Sequence, residues 1–340
     1  MALFTGGPSC DDPRMTTRAS RFSYRWVSRW VGLGLSCGAL VACSANHTSS
    51  GVDGGGGSGG SGGSMGGSIA GAGGGIGGEG GGIGGGIGPG GSGGGPAGCD
   101  DATKGNIYVL GEDKQFAKFD PQTSAFSVMG TLNCPGQDFA STFSMSVDRQ
   151  GIAWVLFQGG QIYHVDTKTL ACTPTSFLAC QSNFCQFGMG FVADAPGSDQ
   201  ETLYVSGVYN SSPGQGLAKI DTTTLALTPI KDYDTLAGQG AELTGTGNAQ
   251  LFGYFQDSPI HLAEIDKTNA HILSSTDLLE VPVGTSWAFA FWGGSFYIMS
   301  GTAIRKYDPA AGTTTLINGN VGFNIVGAGV STCAPTEEPK

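Results

Sequence analysis

Histidine, basic side chains and long apolar runs are all scarce in this 340-residue chain, and each shortage removes a class of function. Four histidines, scattered through the sequence, leave little material for a histidine-based metal centre or proton relay. Lys and Arg together number 16 against 27 Asp and Glu, which argues against a nucleic-acid partner and against a polybasic membrane-surface patch. The one apolar run ahead of residue 50, Val31 to Ala42, falls short of the roughly 20 residues that a membrane-spanning helix needs. Gly32, Gly34 and Gly38 weaken it further as a helix. Paired C-x-x-C spacing is missing too, although nine cysteines are present. A structural metal site is therefore the rival reading of those cysteines rather than the leading one.

That short run has a specific setting. Arg18, Arg21, Arg25 and Arg29 precede it, and it ends in Leu40-Val41-Ala42-Cys43, the order of a cationic n-region, an apolar h-region and a small residue at the cleavage point. These residues resemble the lipobox of bacterial lipoproteins. The resemblance implies a signal peptide over residues 1–42, with translation starting at Met15 because Asp11 and Asp12 do not suit an n-region. It also implies acylation of Cys43, which would become the new N-terminus. An ordinary secretory signal with an incidental cysteine is the competing reading. Several acyl chains on one residue give stable membrane attachment where a single chain does not. Ser44, which is not aspartate, points to the outer membrane under the enteric sorting rule, so the expected location is exported and lipid-anchored.

Between Cys43 and Cys99 the chain is dominated by glycine and serine, as in GGIGGGIGPGG. So few large side chains cannot offset the entropy of ordering the backbone, and a disordered Gly-rich linker over residues 43–99 is expected. Treated as a Gly-rich coil, residues 51–98 have an r.m.s. span of roughly 35 to 40 Å and a stretched reach of about 160 Å. A G-x-S-x-G match at Gly59 to Gly63 falls in this tract with no strand before it or helix after it, so it carries no chemistry.

Removal of the five Arg and two Asp that precede Cys43 leaves 11 basic against 25 acidic residues, a net charge of −14. Six cysteines then remain outside the signal and the anchor. An even number in an exported chain suggests disulfides. Fifteen pairings are open. The preferred set is Cys99 with Cys333, which clasps the two ends of the folded region, Cys180 with Cys185, and Cys134 with Cys172.

From residue 100 to 335 short runs rich in Val, Ile, Phe and Tyr alternate with Gly, Asp, Thr and Pro turns, which makes the region all-β. A unit recurs in Phe119-Asp120-Pro121, Val165-Asp166-Thr167, Ile220-Asp221-Thr222, Ile265-Asp266-Lys267 and Tyr307-Asp308-Pro309, with aspartates 46, 55, 45 and 42 residues apart. Periods of this length with four strands each are those of propeller blades. Asn106 to Leu110 lacks a preceding inner strand, and Ile325 to Val330 is the candidate to supply it. The expected fold is a five-bladed β-propeller closed by pairing of its N- and C-terminal strands, with residues 336–340 a disordered tail. A β-sandwich is the competing architecture. Gly188, Gly190, Gly245, Gly247, Gly327 and Gly329 fit strands that converge on a narrow axis. The x-h-D-x-x-T unit, where h is apolar, together with Val147-Asp148-Arg149-Gln150-Gly151-Ile152-Ala153-Trp154, resembles propellers of the NHL, YVTN and streptogramin-lyase kind. That resemblance implies a fold and no activity.

The repeat aspartates read as turn residues, since an Asx-turn satisfies backbone N–H groups at the head of a hairpin. The possible ligand face comprises Asp138, Tyr209, Asn210, Tyr233, Glu242 and Trp287, aromatic and polar groups on loops at one end of the ring. Glu242 is the one acidic residue expected at the mouth of an inner strand. Nothing marks a catalytic set, a metal site or a cofactor, and none is expected. The functional expectation is a non-enzymatic binding or scaffold module, monomeric, for a protein or glycan partner. The alternative is a glycan-active hydrolase or lyase with carboxylates at the propeller mouth.

Overall fold

The computed structural model describes residues 98–99, 101–208 and 214–340. The signal segment, Cys43, the Gly-rich tract up to residue 97, Tyr209 and Asn210 lie outside the described residues.

A one-turn helix, Asp101–Lys104, leads into β1 (Ile107–Gly111), β2 (Gln115–Asp120) and β3 (Ala125–Thr131). Four groups of four strands follow. They are β4 (Thr142–Val147), β5 (Ile152–Phe157), β6 (Ile162–Asp166) and β7 (Cys172–Pro174); β8 (Phe187–Ala193), β9 (Glu201–Gly207), β10 (Leu217–Ile220) and β11 (Leu227–Lys231); β12 (Ala241–Gly245), β13 (Leu251–Phe255), β14 (His261–Ile265) and β15 (Ile272–Asp277); and β16 (Trp287–Trp292), β17 (Ser295–Ser300), β18 (Ala303–Asp308) and β19 (Thr313–Asn318). The last strand is β20 (Ile325–Gly329). Each group forms an antiparallel sheet in chain order, and β20 joins the first as β20-β1-β2-β3. The molecule is a five-bladed β-propeller. Its ring is shut by the C-terminal strand, with Tyr108 opposite Gly329, Val109 opposite Ala328 and Leu110 opposite Gly327.

The turns follow from one residue type at one position. Asp120, Asp166, Asp221, Asp266 and Asp308 each accept a hydrogen bond at Oδ1 from the backbone N–H two residues on, at 2.9 Å in every case. The fourth residue after each aspartate has φ between 58° and 65°. At four of the five sites that residue is not glycine, so the Asx-turn and the strands on either side hold a backbone that L-residues seldom adopt. The five repeats are therefore hairpin heads between the third and fourth strand of each blade.

Blades pack face to face, and burial of these faces holds the ring together. Five apolar clusters fill the five gaps. Phe119 lies between the first and fifth blades against Tyr297, at 5.5 Å between ring centroids, and Val165 lies between the first and second. Ile220, Ile265 and Tyr307 occupy the remaining gaps in turn. All five are buried, as the repeat pattern anticipates.

At the axis the inner strands approach so closely that side chains are excluded at several points. A β-carbon on Gly188 would lie 2.2 Å from the carbonyl oxygen of Ala241, and one on Gly245 would lie 2.2 Å from that of Phe191. Gly190, Gly327 and Gly329 meet the neighbouring inner strand in the same way. Gly247 differs from this pattern: it follows β12, where its β-carbon would meet the Thr332 carbonyl at 2.6 Å. Each inner strand also turns an unpaired backbone edge towards the axis, and a buried N–H without an acceptor is costly. Short polar side chains of adjacent blades accept from it. Phe191 N donates to Ser146 Oγ at 3.0 Å, Phe291 N to Thr244 Oγ1 at 3.2 Å and Ala241 N to Ser206 Oγ at 3.1 Å.

Disulfides join Cys99 to Cys333, Cys134 to Cys172 and Cys180 to Cys185. The first spans 234 residues and ties the chain ahead of β1 to the chain behind β20. Three such bonds belong to an oxidising, exported environment. Among the described residues no helix is long and apolar enough to cross a membrane. Past β20 the chain passes the β16–β17 turn, with residues 336–339 beside Gly293 and Gly294. Gly293 N donates to Pro335 O at 2.7 Å, and the Glu338 carboxylate lies 3.8 Å from Lys306 Nζ. The two consecutive glycines of that turn carry no side chains to hold the tail away.

Gly188→Ala should destabilise the ring by more than about 2 kcal/mol, because the added methyl meets backbone that cannot rotate aside. Urea unfolding followed by far-ultraviolet circular dichroism checks this, and an unchanged midpoint would contradict the close approach of β8 and β12.

Candidate functional site at the mouth of the ring

Alternating strand direction places the starts of all five inner strands, and the turns between second and third strands, at one end of the ring. A cavity of about 200 Å³ opens there. Its walls come from every side of the axis: Thr142 and Phe143 of β4, Glu242 of β12, Trp287 of β16 and Val326 of β20, with Glu112 from the β1–β2 turn. Gln158, Thr285 and Ser286 complete it.

Glu242 sits at the base, 4% exposed. Its carboxyl accepts from Ser144 Oγ at 2.9 Å and from the Met189 N–H, so it too covers an inner-strand edge. Burial pushes its pKa well above the usual carboxylate range, and the two hydrogen bonds only partly oppose this. The cause is that a charge buried here would lose its hydration. Trp287 and Phe143 are half-buried. Each packs its inner side on an inter-blade cluster and lines the cavity with the rest of its surface.

Of the six residues expected on the ligand face, Glu242 and Trp287 are brought together here. Asp138 is exposed on the loop before β4 and does not line the cavity; the ammonium of Lys114 binds the carbonyls of Gln137 and Asp138 at 2.9 and 2.8 Å. Tyr233 is a correction. It is 2% exposed, its hydroxyl donates to Ser206 Oγ at 2.8 Å, and its ring packs edge-on against Phe255. The loop from β11 to β12 folds back over the gap between blades and takes the tyrosine into the core, with a partner for its polar end. Tyr209 and Asn210 lie outside the described residues.

Glu112, Phe143, Gln158 and Ser286 line the mouth without having been singled out in the sequence. Glu112 was accessible to the same topological reasoning, because it lies in the turn between the second and third strands of the first blade. Phe143, by contrast, reads as an ordinary strand residue, and only the convergence of five strands makes it a wall.

A second polar cluster lies beside the Cys99–Cys333 bond. The buried Arg149 donates from Nη1 to Ser198 O at 3.0 Å and to Thr332 Oγ1 at 3.1 Å, and from Nη2 to Cys99 Sγ at 3.2 Å. Glu201 accepts from Arg149 N at 2.9 Å and from Thr332 Oγ1 at 2.6 Å. Burial raises the Glu201 pKa to about 7 despite these donors. Because these contacts join the second and third blades to the chain after β20, the cluster braces the closure. Asp148, in the turn between β4 and β5, accepts from Gln150 N, Ile152 N and Trp154 Nε1, a turn role. Among the described residues no group of three or more His, Cys, Asp or Glu is placed to hold a metal ion.

No family model matches the chain, and no curated protein matches it. Among solved structures, a chain of a nidogen/laminin complex aligns with a TM-score of 0.45 and 9% identity over 68% of this chain and 99% of its own. A protein of unknown function from Bacteroides caccae aligns at 0.39 and 10% over 66% and 97%. A chain of a mitotic checkpoint complex aligns at 0.36 and 10% over 68% of each.

The two buried glutamates set a pH dependence. Both have folded pKa values raised above the unfolded ones, so the native state binds protons that the unfolded chain releases, and stability falls as pH rises. For Glu201 that window runs from about 4.5 to about 7, and Glu242 extends it upward. The turn aspartates Asp120, Asp166, Asp221 and Asp266 have lowered pKa values, held down by donors to the carboxylate. Their contribution is lost only below about pH 4. Calorimetry from pH 4 to 9 should show the highest melting temperature near pH 5, and Glu201→Gln should flatten the fall between pH 5 and 7. A melting temperature that climbs towards pH 8 would contradict the assignment.

Proposed function

We propose that this chain is a lipid-anchored binding or scaffold module of the bacterial envelope, attached through Cys43, carried on its Gly-rich linker and presenting the propeller mouth to a protein or glycan. The observation that carries the binding part is the convergence of Trp287, Phe143, Glu112 and Glu242 from four blades onto one cavity. Aromatic faces beside a few polar groups are the usual composition of a recognition site. The three disulfides support export, and the lipobox-like residues Leu40 to Cys43 support the anchor. An outer-membrane address rests on Ser44.

Metabolic labelling with a palmitate analogue tests the anchor. Label should enter the full chain and vanish in Cys43→Ala, with the variant recovered in the soluble fraction. Equal labelling of the two would overturn acylation at that residue.

One observation favours the hydrolase reading. Glu112 and Glu242 line the same cavity, and burial raises the Glu242 pKa, so the pair has the composition of a general acid with a second carboxylate. Glycan and peptide arrays probed with the intact protein, followed by product analysis of every bound glycan, separate the readings. Binding without turnover is expected. Turnover that falls by about 100-fold or more in Glu242→Gln would install the hydrolase reading instead.

A further inference from the structure

We infer that the mouth cavity receives a lysine or arginine side chain displayed by a partner polypeptide. This rests on the reading above that the mouth is the binding site, and it names the chemistry of the occupant.

Ser286 provides the first observation. The residue is 7% exposed and lines the cavity, and its hydroxyl, sealed behind that wall, has no hydrogen-bond partner among the described residues. A buried polar atom without a partner is expensive, so a ligand donor or acceptor that draws the hydroxyl round into the cavity recovers that cost. Glu112 supplies a carboxylate on another wall, while Phe143 and Trp287 supply aromatic surfaces. A carboxylate beside two aromatic rings is the chemistry that selects ammonium and guanidinium groups, through charge and through attraction of the cation to the rings. No Lys, Arg or His lines the cavity among the described residues.

Charge on the surrounding loops agrees. At this end of the ring the described loops carry Glu112, Asp113, Asp138, Asp257 and Glu280. The β11–β12 loop adds Asp232 and Asp234. The single basic residue of these loops, Lys114, is already bound to two backbone carbonyls. Such a surface attracts cations and steers their approach.

Size and rim decide for a polypeptide over a glycan. A cavity of about 200 Å³ is smaller than the roughly 300 to 1,000 Å³ of sites that enclose a whole drug-sized ligand, so it suits one side chain. The loops around it expose Phe139, Leu279 and Val283 at 103%, 80% and 56%. Apolar groups of this kind would rest on the residues that flank an inserted side chain, as in the apolar centre of protein interfaces.

The test uses the intact protein and acetylated, amidated peptides Ala-Phe-X-Leu-Ala with X as Lys, Arg, Gln or Glu, measured by isothermal titration. Monosaccharides and a glycan array form a separate arm. Lys and Arg peptides should bind about tenfold or more tightly than the Gln peptide. That margin should disappear in Glu112→Gln and narrow as NaCl is raised from about 50 to 500 mM. Ser286→Ala should weaken the Lys peptide several-fold while the melting temperature stays level or rises, which separates lost ligand contact from lost folding. Equal binding of Lys and Gln peptides, or a margin untouched by Glu112→Gln, would overturn the inference. Glycan binding that is lost in Trp287→Ala would also overturn it while leaving the mouth as the binding site. Failure of every probe would overturn both.

Discussion

Everything in this molecule depends on bringing five sheet edges to one axis. An inner strand at the centre of a ring has no sixth sheet to pair with, so its outward-facing partner is fixed and its inward edge is bare. Two devices meet the constraint. Glycines let β8 and β12 touch backbone to backbone, and the hydroxyls of Ser146, Thr244 and Ser206 with the carboxyl of Glu242 accept the bare N–H groups. The inner strands can then pack closely, and most of the apolar surface between blades is buried.

Glu242 links this architecture to the site. It is a structural acceptor at the edge of β8 and, by its position at the first turn of the channel, the floor of the mouth cavity. The burial that makes it useful in closing the ring also pushes its pKa up, whereas Glu112 lines the same cavity from a turn at the rim. Two acidic residues in one cavity thus have different tasks because one lies inside the ring and the other on it.

The opposite need, holding the ring shut, is met by several contacts at once. β20 pairs with β1, Cys333 is bonded to Cys99, and Arg149 and Glu201 grip Thr332 just past β20. The last residues continue onto the β16–β17 turn. A chain whose final strand belongs to its first blade gains stability from each of these only when the others are in place, which makes the closure cooperative.

The sequence by itself determined the blade count, the hairpins and the seam. These are written in local and periodic signals: the aspartate that builds an Asx-turn, the apolar residue before it that faces the next blade, and a spare strand at the end matching a missing one at the start. It also placed Glu242 and Trp287 on one end, because strand direction alternates regularly. Only the tertiary structure decided which side chains share a cavity. Tyr233 sits in a loop yet turns inward, Phe143 sits in a strand yet forms a wall, and Ser286 becomes a buried hydroxyl without a partner among the described residues. The reason is physical: periodicity specifies the face and the end on which a residue lies, whereas burial depends on how loops of different length fold over the gaps between blades.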